Sequence, residues 1–237
     1  MIWPRPLISN TMAIWVLENF EFLISNYELR TQFSATPLIL PNRNLFTAKS
    51  GHDHATALEV FADVRRLMCL EDRNILLNRL PEKIDGVDHF SYQKTSEIAG
   101  MFQKTEGQSV ISYTPENMKT PISFISTLAH ELAHEIMETK PLQYGPENEL
   151  QTDLLCIILG FGAIQAQAAR QLGWSGYLSN ETRMFALALF LELREIDASL
   201  SFDILDGNLK KKLKRGQKQL LHYRAEISAL SKSILPP

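Results

Sequence analysis

The chain is poor in cysteine, with two in 237 residues. Cys69 and Cys156 lie far apart, and each stands in an apolar stretch. Two isolated thiols form neither a disulfide framework nor a Cys-rich zinc site. Their number and placement are typical of a protein from a reducing compartment.

The chain also lacks a strong net charge. The formal charge is -3 and the sequence pI is about 6.1, so no global field attracts nucleic acid or an anionic membrane. The densest basic run, Asn208–Arg224, holds seven Lys and Arg residues. Such a run is usually a solvated helix face. We therefore expect no nucleic acid partner, with a polyanion or an acidic partner for this run as the alternative.

No segment has the pattern of an export signal or a membrane span. The first 24 residues contain two early prolines, and Glu18 and Glu21 interrupt the region where a signal peptide is apolar. The longest apolar run, Leu154–Ala169, includes two glycines and two glutamines and is short for a membrane helix. We expect this run to be a buried helix, and we expect the protein to be soluble, cytoplasmic and without a membrane partner.

The hydrophobic share of 45% is enough for a real core. Helical periodicity over residues 11–80 predicts a mostly helical region. Three β-rich runs follow between residues 87 and 113, VDHFSYQ, EIAGMFQK and QSVISYT, and they predict a small antiparallel sheet. Beyond Thr120 the pattern is helical again. The chain is therefore predicted to be α+β and predominantly helical, with a sheet ahead of the helix that starts at Thr120-Pro121.

The predicted helices in this last part cover the stretch after Pro121, about Glu147 to Leu172, Asn180–Asp197, and a stretch from near Leu209. We expect residues 1–85 to form a helical N-terminal region, either separate or part of the same core, and residues 86–237 to form the second domain.

The stretch TLAHELAHEIM, Thr127–Met137, contains the pattern H-E-x-x-H at His130, Glu131 and His134. On a helix, two imidazoles at i and i+4 can bind one Zn²⁺ at about 2.0–2.1 Å. The glutamate after the first histidine then lies where it can take a proton from a water molecule. This arrangement predicts a zinc site, and its alternative is a solvated helix face that carries two histidines.

A helical projection places the two histidines away from the apolar side of this helix. The apolar stripe consists of Ile122, Ile125, Leu128, Ala129, Leu132 and Ile136. The sequence therefore predicts a helix that buries one face and turns His130 and His134 elsewhere.

A catalytic zinc site needs a third protein ligand. Met137 and Lys140 stand where a metzincin has glycine and histidine, so that family is excluded, and the inverted motif H-x-x-E-H is absent. The next predicted helix offers Glu149 and Asp153, one turn apart on one face. Glu147 is a competing carboxylate.

HELAH followed by ELQTD resembles the gluzincin zinc metallopeptidases, whose second motif is E-x-x-x-D or E-x-x-A-D. The resemblance covers Thr127 to about Gly162, with a short gap between the motifs and Thr152 where alanine is common. It implies a zincin-like domain at 86–237 with His130, His134 and Glu149 as Zn²⁺ ligands. It further implies Glu131 as the general base and Asp153 as the carboxylate that orients His130 through its other ring nitrogen.

The resemblance implies hydrolysis of peptide bonds in a protein or peptide substrate, including limited proteolysis of one specific partner. A catalytically weak zincin-fold binding or regulatory module is the main alternative. A helical interaction protein with a coincidental motif is the third reading.

Three further assignments belong to this expectation. Tyr177 and His222 are candidates for stabilising the oxyanion, and each is also readable as an ordinary packed ring or surface imidazole. The strand QSVISYT is expected to border the cleft and to pair with an extended peptide. In GHDH, Gly51–His54, Asp53 is expected to cap a helix, and a second metal site is the alternative.

Overall fold

A computed structural model describes residues 5–81, 100–105, 107–139, 148–171 and 177–234. These residues are mostly helical and include one small sheet, which confirms the α+β class. The helices are α1 Asn10–Ser25, α2 Tyr27–Ala35, α3 His54–Leu67, α4 Pro121–Thr139, α5 Asn148–Cys156, α6 Gly162–Gln171, α7 Asn180–Leu193, α8 Gly207–Leu220 and α9 Arg224–Ile234. The strands are β1 Ile75–Arg79, β2 Gly100–Thr105 and β3 Gln108–Tyr113.

The chain divides into two compact units, one formed by residues 1–40 and 142–237 and the other by residues 41–141. The predicted domain boundary at residues 85 and 86 lies outside the described residues, as does the β-rich run at residues 87–93.

The first unit is helical, and aromatic rings pack at its centre. Phe33 meets Phe20 and Phe190 edge to face, with ring centroids 5.7 and 5.9 Å apart. Edge-to-face contact is favoured because the positive ring edge meets the negative face of its neighbour. Helix α7, which supplies Phe190, is buried along most of its length, so the apolar pattern of this stretch reflects core packing.

Residues 148–171 form the buried helical segment that the sequence predicts. It is long and apolar enough to cross a membrane by length and composition, but 94% of its most apolar window is buried in the fold, which is consistent with a soluble protein. A π-helical turn, Ile157–Phe161, separates α5 from α6, and Gly160 within it has a φ of +89°. Its carbonyl accepts from Ile39 N at 3.0 Å, and a Cβ at this position would collide with the Pro37 carbonyl. Glycine is therefore required here.

The second unit contains α3, the sheet and α4. The strand order is β1-β3-β2, with β1 parallel and β2 antiparallel to β3. The predicted sheet therefore exists, but the prediction that it is antiparallel is wrong because β1 makes it mixed.

Strand β1 lies in a region that the sequence predicts to be mostly helical. Ile75 and Leu77 are buried while Leu76 between them is half exposed. A run of three apolar residues hides this alternation, and a short apolar run does not separate strand from helix by periodicity.

Two helix starts agree with the sequence predictions. Asp53 Oδ1 accepts from Thr56 N at 2.8 Å at the start of α3, which confirms the cap in GHDH. Helix α4 begins at Pro121, as predicted. Helix α7 ends at Leu193, four residues earlier than predicted, because Glu195 takes a left-handed φ of 52°.

The basic run lies mainly on α8, and several of its charges contact the protein itself. Lys212 Nζ lies 2.7 Å from Glu181 Oε1, and the ammonium groups of Lys210 and Lys214 lie 5.8 and 5.4 Å from the centre of the Phe202 ring. Lys210, Lys212 and Lys214 therefore contact other side chains of the same unit, beyond the solvated helix face that the sequence predicts.

Candidate metal centre

Helix α4 holds the two motif histidines side by side. The ring centroids of His130 and His134 are 4.9 Å apart and their planes are nearly perpendicular. Both side chains are half-buried. This is the placement expected of two imidazoles one turn apart on a helix.

Helix α4 is buried on more than one side, so the prediction of a single buried face is too narrow. Glu131 is 8% exposed and Glu135 is 4% exposed, and Ala133 and Met137 are also buried. The helix packs against α3, β2 and β3 within its unit, which covers flanks that a single apolar stripe would leave open.

Strand β2 runs along α4 and presents alternate residues to it. Gly100 lies against Glu131, the Phe102 ring stacks on His134 with centroids 6.1 Å apart, and Lys104 reaches Glu135. A spacing of two residues is the strand period that keeps side chains on one face of a sheet. One edge of the motif is therefore built by β2.

Glycine at position 100 leaves room for the motif glutamate. A Cβ there would lie 2.9 Å from both Cγ and Oε1 of Glu131, and 2.6 Å from Cγ2 of Thr127. Thr127 is itself held by Asn117, whose Nδ2 donates to its Oγ1 at 2.8 Å. The Glu131 carboxylate is thus packed into a space that a side chain at residue 100 would occupy.

Glu135, the residue after the second histidine, is fixed by the sheet. Ser109 Oγ on β3 donates to its Oε2 at 2.6 Å, and Lys104 Nζ lies 3.7 Å from the same oxygen. Lys104 Nζ is also 3.7 Å from Glu138 Oε2. Sequence reasoning missed this role, although a second glutamate inside the motif helix beside an alternating Gly-x-Phe-x-Lys strand was a usable signal.

The strand QSVISYT forms β3, and its predicted role is wrong. It is the central strand, hydrogen-bonded to β1 on one side and β2 on the other. A strand paired on both sides has no free backbone groups for an added peptide.

Helix α5 carries the two predicted carboxylates. Glu149 lies in its first turn and Asp153 one turn later. Glu149 belongs to the other unit than the two histidines, and its side chain is half-buried. Glu147, the competing carboxylate, lies outside the described residues.

Asp153 is buried and has a structural role that the sequence did not reveal. Its Oδ2 accepts from the backbone N of Tyr177 at 2.7 Å, from Leu178 N at 2.9 Å and from Arg183 Nη2 at 2.8 Å. The carboxylate thus ties α5 to the start of α7. Its predicted hydrogen bond to His130 stays a prediction.

The two oxyanion candidates are both exposed. The Tyr177 side chain is 53% exposed, and the Tyr177 backbone N donates to Asp153. His222 is exposed in a short helical turn, Leu221–Tyr223. Neither position indicates that the side chain stabilises an oxyanion.

No family model matches the chain, and no significant match was found among curated proteins or solved structures.

Proposed function

We propose that the protein is a zinc metallopeptidase whose metal ligands are His130, His134 and Glu149. The observation that carries the proposal is the pair of motif histidines side by side on α4, with ring centroids 4.9 Å apart. The position of Glu131, beside the histidines and against Gly100, supports it.

The chemistry of these side chains fits zinc. Two imidazoles and one carboxylate are a common set in catalytic zinc sites, which keep a fourth position open for water or substrate. When bound, zinc lowers the pKa of water toward about 7 and polarises a substrate carbonyl. The three residues would supply this ligand set, and the gluzincin-like order of the two motifs supports the same assignment.

Glu131 would move the proton in the reaction. It would take a proton from the attacking water and then deliver that proton to the leaving amine. Its low exposure of 8% and its packing against Gly100 restrict the carboxylate to few rotamers, which is the preorganisation that general base catalysis needs.

We propose that an extended substrate peptide pairs with β2, and not with β3. Among the described strands, β2 is paired only with β3, and its residues Gly100 and Phe102 lie against Glu131 and His134. An extended peptide added to the outer side of β2 would run along the motif helix, with its backbone paired as a further strand.

Asp153 would have two tasks in the proposed site. Three donors fix its Oδ2, and its Oδ1 would accept from the His130 ring and set that ring's orientation. We further propose that the protein is cytoplasmic, because Cys69 and Cys156 are not joined in a disulfide, and that its substrate is a protein or a peptide.

The test compares wild-type protein with Glu131→Gln on a library of peptides from a digested proteome, read by mass spectrometry. We expect discrete cleavage products from the wild type and a rate about 10²–10⁴-fold lower for Glu131→Gln. Glu138→Gln is the matched control, an exposed acid-to-amide change on the same helix, and it should cleave like the wild type.

Zinc bound at the expected residues without any cleavage by the wild type would favour the alternative of a zincin-fold binding or regulatory module. Equal cleavage by wild type and Glu131→Gln would contradict the assigned base.

A further inference from the structure

A pocket separate from the motif residues opens within the unit formed by residues 41–141. Its volume is about 410 Å³, within the range of sites that hold small organic ligands, roughly 300–1,000 Å³. It lies between the loop before α3, helix α3 itself and the first turns of α4. The lining residues on α4 end at Ile125, more than one turn before His130.

The floor of the pocket is apolar. Phe46, Met118, Phe124 and Ile125 line it, and each of these side chains is at most 8% exposed. Val60 of α3 lies at the wall. Such a floor favours a hydrocarbon body over a polar one, because an apolar ligand loses little by leaving water and gains contacts here.

The rim carries basic side chains and no acidic one. Arg43, Lys49 and His52 are exposed and line the pocket, and none of the described lining residues is Asp or Glu. The neighbouring acids Asp53 and Glu59 are not among the lining residues; Asp53 accepts from Thr56 N, and Glu59 accepts from Lys49 N at 3.1 Å. The rim is therefore complementary to an anion.

The loop that shapes the rim is held in place by buried contacts. Asp63 Oδ2 accepts from Thr47 N at 2.7 Å and from Ala48 N at 3.4 Å, and Arg43 Nη1 donates to the Ala48 carbonyl at 2.5 Å. Pocket walls fixed in this way need little reordering when a ligand enters, which lowers the cost of binding.

We infer that this pocket binds a small amphiphilic carboxylate, with its hydrocarbon chain on the Phe46, Phe124 and Ile125 floor and its carboxylate at Lys49 and His52. This site is distinct from the proposed metal ligands. Its test needs neither zinc nor cleavage, so it stands or falls separately from the proposed peptidase activity.

The experiment measures binding of three probes with the same eight-carbon chain, octanoate, 1-octanol and octyltrimethylammonium, to the full chain by calorimetry. We expect octanoate to bind once per chain, with an affinity about fivefold above those of the neutral and cationic probes, since one exposed charge contact, at Lys49, contributes up to about fivefold. Equal affinities for the three probes, or no binding of octanoate at millimolar concentration, would overturn the inference.

Two variants locate the charge and the chain. Lys49→Gln should weaken octanoate binding about threefold while leaving 1-octanol unchanged, and the matched change Lys211→Gln, an exposed lysine in the other unit, should leave both unchanged. Val60→Trp should fill the pocket and abolish binding of all three probes.

Hydrogen exchange on the wild-type chain gives a readout that does not depend on any variant folding. Octanoate should protect amides in residues 41–52 and 118–125. Protection confined to other segments would place the ligand elsewhere and overturn the assignment.

Discussion

At the scale of single residues, Asp153 and Arg183 form a buried ion pair. Their side chains are 1% and 3% exposed, and Arg183 Nη2 lies 2.8 Å from Asp153 Oδ2. Removing one charge of a buried pair leaves the other without compensation, which costs more than the pair itself contributes. The structural role of Asp153 can therefore be measured separately from its proposed role in orienting His130.

Asp153→Asn should lower the free energy of unfolding by about 3 kcal/mol because Arg183 keeps its charge in a buried site. Urea denaturation measures this change, and the double variant Asp153→Asn with Arg183→Met should recover part of the loss. Glu181→Gln is the control. It is also an acid-to-amide change in an ion pair, but Glu181 is 42% exposed, so its cost should stay below about 1 kcal/mol. A loss for Asp153→Asn no larger than this control would contradict the structural role.

Gly100 gives a second prediction at the residue scale. Gly100→Ala would push a methyl group against Thr127 and Glu131, and we expect it to cost about 1–3 kcal/mol of stability through overpacking. Gly207→Ala is the matched control because a Cβ there meets nothing within 4 Å, and it should be neutral or slightly stabilising. Thermal unfolding of the two variants measures the difference. Equal melting temperatures would mean that β2 does not lie as closely against α4 as the structure indicates.

At the scale of elements, the loop before α3 depends on one carboxylate. Burial of Asp63 raises the pKa of its carboxyl group, but hydrogen bonds from Arg66 and Thr47 outweigh burial and hold the pKa below its ordinary value. A lowered folded-state pKa means that the stabilisation is present above the unfolded pKa, about 3.9, and is lost as the pH falls through the folded-state value.

Asp63→Asn should therefore cost about 1–3 kcal/mol at pH 7, since hydrogen bonds to a charged acceptor are lost. The difference from wild type should shrink as the pH falls below about 4. Urea denaturation between pH 7 and pH 3 measures both quantities. A difference that stays constant over this range would show that the ionised carboxylate is not what holds the loop.

The sequence predicted some elements well and others poorly, for physical reasons. Helix α4 was predictable because Thr120-Pro121 marks its start and its apolar stripe has helical spacing. Strand β1 was not, since three apolar residues in a row look alike in a strand and a helix. The pairing of β3 on both sides was also hidden, because strand order depends on contacts between distant segments that no local pattern encodes.

At the scale of the whole molecule, the three proposed zinc ligands come from two sequence motifs, HELAH and ELQTD. Their spacing and their resemblance to the gluzincin motifs were the grounds for combining them. His130 and His134 were predictable because one helix fixes their separation. Glu149 was predictable only from the second motif, ELQTD. The contacts of β2 with Glu131 and His134, and of Asp153 with Arg183, were out of reach because each joins segments that are distant in sequence.

Zinc binding should also stabilise the folded chain, since a ligand that binds only the native state adds a free energy that grows with its concentration. We expect the melting temperature of metal-depleted protein to rise when zinc is added and the rise to be absent in His134→Ala. Thermal denaturation with and without zinc measures this shift. The same rise in His134→Ala would place the stabilising metal elsewhere.

The zinc content of purified protein, measured by elemental analysis, tests the central claim most directly. We predict close to one zinc per chain in the wild type, retained in Glu131→Gln and in the surface control His222→Ala, and lost in His134→Ala. A wild type without zinc, or a His134→Ala variant that keeps it, would contradict the assignment of His130, His134 and Glu149 as a metal centre.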